Sequence, residues 1–194
     1  YFGAENAAAA LQGFALITET HAVPTVEAIN KLFADDKFFP WWWALAAAVD
    51  ARVRANENVA DLQPELVEAV LTIDLRQMLA NRIKRGDKET PSFHEVLRSL
   101  YPEIAARAYL RSIRKDLGDG EQHPTGLYSF IDEPIFSAAR RDVLLTLLDE
   151  FPLADPRALE QLLQAALADP ELHVGLYQRA LSALANAELG TERL

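Results

Sequence analysis

Ten prolines divide this 194-residue chain into short segments in which apolar residues recur every three or four positions. Most of these prolines stand where a helix would begin, because the first helical turn does not use the backbone N–H that proline lacks. The period is clearest after Pro64, where the apolar residues are Leu66, Val67, Val70, Leu71, Leu75, Met78 and Leu79. β-Branched residues do not gather into alternating runs, so we predict an all-α fold of about nine helices.

Capping residues predict where individual helices begin and end. Ser92 and Glu95 stand three residues apart, which is the spacing of a capping box. Gly118 is predicted to end a later helix as its left-handed residue. The glycine- and proline-containing segment 118–133 is the longest candidate loop. We therefore expect a single helical domain over 1–194, with a possible subdomain boundary in that loop.

Two consecutive 14-residue segments late in the sequence resemble each other. Ala154–Leu167 and Ala168–Leu181 have identical residues at seven of 14 positions, and each opens with Ala-Asp-Pro. In each segment the aspartate is placed to cap a helix and the proline to occupy its first position. With almost no loop between them, the two helices should be antiparallel neighbours. The helices are therefore expected in antiparallel pairs, as a right-handed α-solenoid or as an irregular helical bundle.

Two parts of the sequence resemble known helical families. The twofold Ala-Asp-Pro unit and the run Leu147–Pro152 before it resemble HEAT-type helical repeats. Tyr1–Asn6 and Pro40–Leu45 are similar to helical segments outside the nucleotide-binding core of bacterial STAND (NACHT-type) NTPases. The first resemblance implies a HEAT-like solenoid. The second implies a sensor or regulatory arm of a larger protein, whose ATPase would lie elsewhere.

Basic residues are concentrated in one part of an acidic chain. The formal net charge is −10, but residues 76–115 contain ten basic and four acidic side chains, a local charge of +6. Four of the basic residues recur at helical spacing and would lie along one face: Arg107, Arg111, Arg114 and Lys115. We predict that this basic stripe binds an acidic protein partner, unless it is solvated or neutralised within the fold. An acidic chain is a poor candidate for nucleic-acid binding.

The aromatic group at Trp41, Trp42 and Trp43 is the most unusual local feature. Three consecutive helical residues span about 200° of the helix circumference, so no single face buries all three. The helix continues through the apolar segment Ala44–Val49, which indicates a central helix of the core. Any tryptophan that the core leaves exposed is predicted to form a second partner-binding surface.

The sequence lacks the common patterns of catalytic and cofactor sites. There is no cysteine, which excludes thiol chemistry and cysteine metal sites and fits a cytoplasmic location. The histidines are scattered singly, and neither a phosphate-binding glycine motif nor a nucleophile elbow occurs. We therefore expect no metal, no cofactor and no catalysis. No apolar stretch is long enough to span a membrane.

Together these features predict a non-catalytic helical-repeat domain that holds or recognises another protein. The sequence begins at Tyr1 without the pattern of a secretory signal, so we expect a piece trimmed from a longer protein. The alternative is a helical enzyme or small-ligand-binding domain whose site is built from residues distant in sequence. For that alternative the candidate residues are His94, Glu103 and Arg107.

Overall fold

The computed structural model describes residues 23–35, 41–55, 57–77 and 91–191, with Ala9, Gly13 and Leu16 as isolated helical positions. Within these ranges the chain is all-helical, without a strand, and no helix has both the length and the apolar character needed to cross a lipid bilayer. The described α-helices are α1 (Val26–Ala34), α2 (Trp41–Arg54), α3 (Pro64–Gln77), α4 (Phe93–Leu100), α5 (Pro102–Gly118), α6 (Leu127–Asp132), α7 (Ser137–Glu150), α8 (Pro156–Leu167) and α9 (His173–Thr191). One 3₁₀ turn precedes α7 and another precedes α9.

The chain divides into two compact units, Tyr1–Ser112 and Ile113–Leu194. In the first unit α3 packs against α1, α2 and α4. Every position from Leu66 to Ile73 is buried except Glu68, which is half-buried. The apolar residues of α3 therefore face neighbours on several sides, as expected of a helix at the centre of a core. Met78 and Leu79, which the sequence places on the same helix, lie outside the described residues.

Local capping starts and stops the helices of the first unit. The Ser92 Oγ accepts from the Glu95 N–H at 3.0 Å, and the Glu95 carboxylate accepts from the Ser92 N–H at 2.6 Å. This confirms the predicted capping box at the start of α4. The chain then turns at Tyr101, whose hydroxyl donates to the Val59 carbonyl at 2.8 Å, and α5 begins separately at Pro102.

The end of α5 differs from the prediction. Gly118 belongs to the helix, and the left-handed residue is Gly120, with φ 76°. The Gly120 N–H donates to the Leu117 carbonyl at 3.2 Å, and the Glu121 N–H donates to the Asp116 carbonyl at 2.9 Å. These two bonds form a Schellman motif, in which the first residue after the C-cap has positive φ. Gly120 meets that requirement, so the helix stops two residues later than Gly118 suggested.

The segment 118–133, expected to be a loop, contains a helix. Gly126 has φ 83° and leads directly into α6, whose Leu127 and Phe130 are buried. The segment is fastened to α5 because the Thr125 N–H donates to the buried Asp116 carboxylate at 2.8 Å. Gly120 and Gly126 therefore lie at the two ends of a short connection between α5 and α6, and not within one long loop.

The second unit is organised around three successive helices. α8 packs against both α7 and α9. In the same unit the Phe130 and Phe136 rings stack with centroids 5.3 Å apart. Other buried side chains of this unit include Leu144, Leu147, Ala158, Leu162, Ala166 and Leu172. This core positions α9, which carries the candidate surface described below.

The two similar segments share a cap but continue differently. Asp155 accepts a hydrogen bond from the amide two residues on, at 2.8 Å, and α8 begins at Pro156. Asp169 accepts in the same way at 3.1 Å, but Pro170–Leu172 forms a 3₁₀ turn before α9 begins at His173. The predicted capping is therefore confirmed in both copies. The second copy is not one α-helix from its proline onward.

Candidate functional site

The first two residues of the basic stripe are paired with carboxylates. Arg107 and Arg111 lie 3.8 and 3.2 Å from the two carboxylate oxygens of Glu68 in α3. Arg111 also lies 3.6 Å from Glu27 in α1. The Glu68 side chain is largely buried, so the two arginines offset the cost of holding its charge away from water.

The other two residues of the stripe are also paired. The Arg114 Nε donates to Glu150 at 2.9 Å, and the Lys115 Nζ donates to Asp119 at 2.5 Å. An acidic partner would therefore compete with the chain's own carboxylates at each position of the stripe. These contacts favour neutralisation within the fold, the alternative that the sequence left open. Partner binding by the stripe stays a prediction.

The tryptophans differ in their environments. Trp42 is 2% exposed and belongs to the core of the first unit, as the apolar surroundings in the sequence indicate. Trp43, one residue on, is 38% exposed. The side chain of Trp41 lies outside the described residues. Among the tryptophan side chains that the structure describes, Trp43 is therefore the one available for the predicted aromatic surface.

Three polar side chains from three helices form a buried chain of contacts in the first unit. The His94 Nδ1 of α4 contacts the Asp74 carboxylate of α3, and the His94 Nε2 lies 2.8 Å from the Tyr109 hydroxyl of α5. All three residues are buried. The Arg98 guanidinium lies 3.5 Å from the same Tyr109 hydroxyl.

The imidazole lies between a carboxylate and a hydroxyl group. Its Nδ1 faces Asp74, and its Nε2 lies within hydrogen-bonding distance of the Tyr109 hydroxyl, which can donate or accept. The same order of carboxylate, imidazole and hydroxyl serves proton transfer in enzymes, but it requires contact with a substrate. Burial of all three groups makes this cluster a link between helices.

Sequence reasoning included His94 but missed its partners. Of the other two residues expected beside it, Arg107 faces Glu68, and Glu103 is exposed. One signal in the sequence could have indicated this cluster. Asp74 is a carboxylate within the apolar run of α3, and a buried charge needs a partner. Nothing in the local sequence identifies Tyr109 as the next member.

A row of exposed apolar side chains runs along α9. We call Val174, Tyr177, Leu181 and Leu184 the α9 face; they are between 49% and 68% exposed. Their spacing of three, four and three residues is that of the a and d positions in a coiled coil. Over this length of about 15 Å the four side chains stay on one side of the helix. The sequence analysis did not single out this face, although the spacing was readable there.

A different side of α9 is held against α7. Gly175 lies so close to α7 that a Cβ atom at this position would be 2.5 Å from the Leu145 Cδ1. Arg179 donates from Nε and Nη2 to the two oxygens of Asp149, at 2.8 and 2.5 Å. Hydrogen bonding from Arg179 lowers the pKa of the Asp149 carboxyl, and Asp149 raises the pKa of the guanidinium in turn.

A groove of about 790 Å³ is lined by the C-terminal end of α7, the turn that follows it, α8 and α9. Its apolar lining comes from Leu148, Pro152, Leu163, Leu176, Ala180 and Ala183. The Asp149 and Arg179 pair forms part of its polar lining. α9 therefore carries more exposed large apolar side chains than any other described helix, and it also lines the groove.

Known proteins offer no family assignment for this arrangement. Comparison with protein-family models, with curated proteins and with solved structures finds no match to this chain. Among the residues that the structure describes, no three His, Asp or Glu side chains are grouped so as to hold a metal ion.

Proposed function

We propose that this chain is a non-catalytic, cytoplasmic helical-repeat domain that binds another protein through the α9 face. One observation carries the proposal: four large apolar side chains, half to two-thirds exposed, at coiled-coil spacing on one helix. Contiguous apolar surface is uncommon on soluble monomers and typical of protein interaction sites. The spacing favours a partner that presents a helix, because a and d side chains fit between those of a facing helix.

The order of packing in the second unit supports a repeat-like role. α8 packs against both α7 and α9, and the two similar segments supply α8 and about the first half of α9. In stacked helical repeats each unit buries its apolar face against the next one. An exposed apolar face on α9, the last of the described helices, is therefore where further helices of a HEAT-like array, or a separate protein, would pack.

The charges predict how binding responds to salt. From His173 to Leu184 the one residue with a formal charge is Arg179, and it is bound to Asp149. Binding at an uncharged face changes little with ionic strength, whereas binding by the basic stripe weakens as salt screens the charges. Salt dependence therefore separates the α9 face from the stripe.

The test compares variants of the 194-residue chain in quantitative capture of proteins from its native lysate. Leu181→Gln/Leu184→Gln removes half of the α9 face while keeping a good helix former at both positions. Leu153→Gln, at an apolar residue that is 96% exposed in a turn, is the matched control. The proposal predicts a partner that L181Q/L184Q loses and L153Q keeps, at low and at high salt. Capture that is equal for both variants contradicts it.

The alternative of a helical enzyme or ligand-binding domain has less support. The polar cluster that the fold assembles from distant residues is Asp74, His94 and Tyr109, and all three are buried. A substrate would have to open the contact between α3, α4 and α5 to reach the imidazole. The exposed apolar surface of α9 needs no such opening.

A further inference from the structure

The α9 face is uncharged at its edges as well as along its centre. The residues beside the apolar row include Gln178 and Ala180, at positions where coiled coils carry the charges that select a particular partner. Between Val174 and Leu184 those positions carry none. The face therefore has no charge pattern that would specify a different protein or repel an identical one.

This property matters because the chain as a whole repels its own copies. Its formal net charge of −10 opposes self-association over most of its surface. Two copies can meet only where like charges are not brought together. The α9 face meets that condition between His173 and Leu184, where Arg179 is the one formally charged residue and is bound to Asp149.

The row is also self-complementary when reversed. In an antiparallel pair related by a twofold axis near Arg179, Val174 of one copy lies opposite Leu184 of the other, and Tyr177 lies opposite Leu181. Each layer then pairs two different side chains, either Val174 with Leu184 or Tyr177 with Leu181. The twofold axis generates a second copy of each of these layers, which gives four layers in all. A parallel pair would instead place each side chain against its own copy, so that Tyr177 faces Tyr177 and Val174 faces Val174.

We propose that a second copy of this chain occupies the α9 face, as an antiparallel α9 to α9 homodimer. The proposal rests on the proposed function, since it names the partner of the same face. Twofold pairing through one patch is the commonest form of protein self-association. A seam of four layers lies at the low end of interface sizes, below about 1,200 Å² in total, where weak or transient association is typical.

Sedimentation equilibrium of the 194-residue chain over the micromolar range tests the dimer. The expected result is a monomer–dimer equilibrium that high salt does not weaken. L181Q/L184Q should raise the dissociation constant by about tenfold or more, and L153Q should leave it unchanged. A chain that stays monomeric at every concentration, or a dimer that L181Q/L184Q does not weaken, overturns the proposal.

Disulfide trapping tests the orientation, because the chain has no cysteine of its own. A mixture of Val174→Cys and Leu184→Cys chains should cross-link under mild oxidation, whereas Val174→Cys alone should not. Cross-linking of Val174→Cys alone overturns the antiparallel arrangement. If the chain is monomeric and yet L181Q/L184Q loses a different protein from the lysate, the proposed function stands and the homodimer fails.

Discussion

Arg179 in α9 binds Asp149 in α7 through two parallel hydrogen bonds, from Nε to Oδ1 at 2.8 Å and from Nη2 to Oδ2 at 2.5 Å. A two-bond pair fixes orientation as well as distance. Because the contact lies on another side of α9, it helps to keep the α9 face turned outward. Gly175, one turn earlier, allows the helix to approach α7 closely at the same time.

This pair predicts a small pH dependence of stability. Arg179 lowers the pKa of folded Asp149, so the pair stabilises the fold above the unfolded pKa of about 4, and this contribution is lost as pH falls through the folded pKa. Both side chains are partly exposed, so solvent screening limits the effect to less than about 1 kcal/mol. Urea unfolding of the wild type and Asp149→Asn should show a stability difference at pH 7 that shrinks near about pH 3. Equal differences at both pH values would contradict this role.

The buried cluster predicts a larger effect on stability. His94→Leu removes the imidazole that faces the buried Asp74 carboxylate and should lower the free energy of unfolding by about 3 kcal/mol. Tyr109→Phe removes one hydroxyl at the end of the cluster and should cost about 1 kcal/mol. Chemical denaturation measures both. A larger loss for Tyr109→Phe than for His94→Leu would show that the imidazole is not the central link.

Two nearby glycines provide a matched test of how α5 ends. Gly120→Ala places a Cβ at φ 76° and should destabilise the protein by about 1 kcal/mol. Gly118→Ala lies in the helix, where the new Cβ would meet the Phe151 ring at 3.6 Å, an ordinary contact. It should therefore stabilise the protein by up to about 1 kcal/mol through better helix propensity. Thermal unfolding that ranks the two variants the other way would place the left-handed residue at Gly118.

These glycines show how far sequence reasoning reached. Signals that act within a few residues, such as the Ser92 and Glu95 capping box and the caps at Asp155 and Asp169, were readable and are confirmed. The choice between Gly118 and Gly120 was not, because it depends on which carbonyls the returning chain can reach. Both glycines can adopt positive φ, so the local sequence does not choose between them.

The candidate sites show the same limit. Helical spacing correctly aligned Arg107 with Arg111. It did not reveal that Glu68 of α3, about 40 positions earlier, would lie next to both of them. The spacing of the α9 face was present in the sequence. Without the structure, however, an exposed apolar row cannot be told from one that faces the core, since both have the same period.

The basic stripe predicts an effect on stability rather than on binding at α9. Arg107→Glu/Arg111→Glu places two negative charges beside the largely buried Glu68 and should lower stability by about 1–3 kcal/mol. Partner binding by the folded variant should keep the wild-type affinity and salt dependence. Isothermal titration at two salt concentrations measures both. Weakened binding in a folded variant would restore the stripe as the binding surface.

Site-specific photocrosslinking from Tyr177 tests the central claim most directly, because it reports which molecules touch the α9 face in a native lysate. A benzophenone amino acid replaces Tyr177 in one chain and Leu153, the exposed turn residue, in the control. The account predicts discrete adducts from position 177, identified by mass spectrometry, that L181Q/L184Q abolishes and that position 153 does not give. Adducts that are absent at position 177, or equal at both positions, would contradict the claim that the α9 face binds protein.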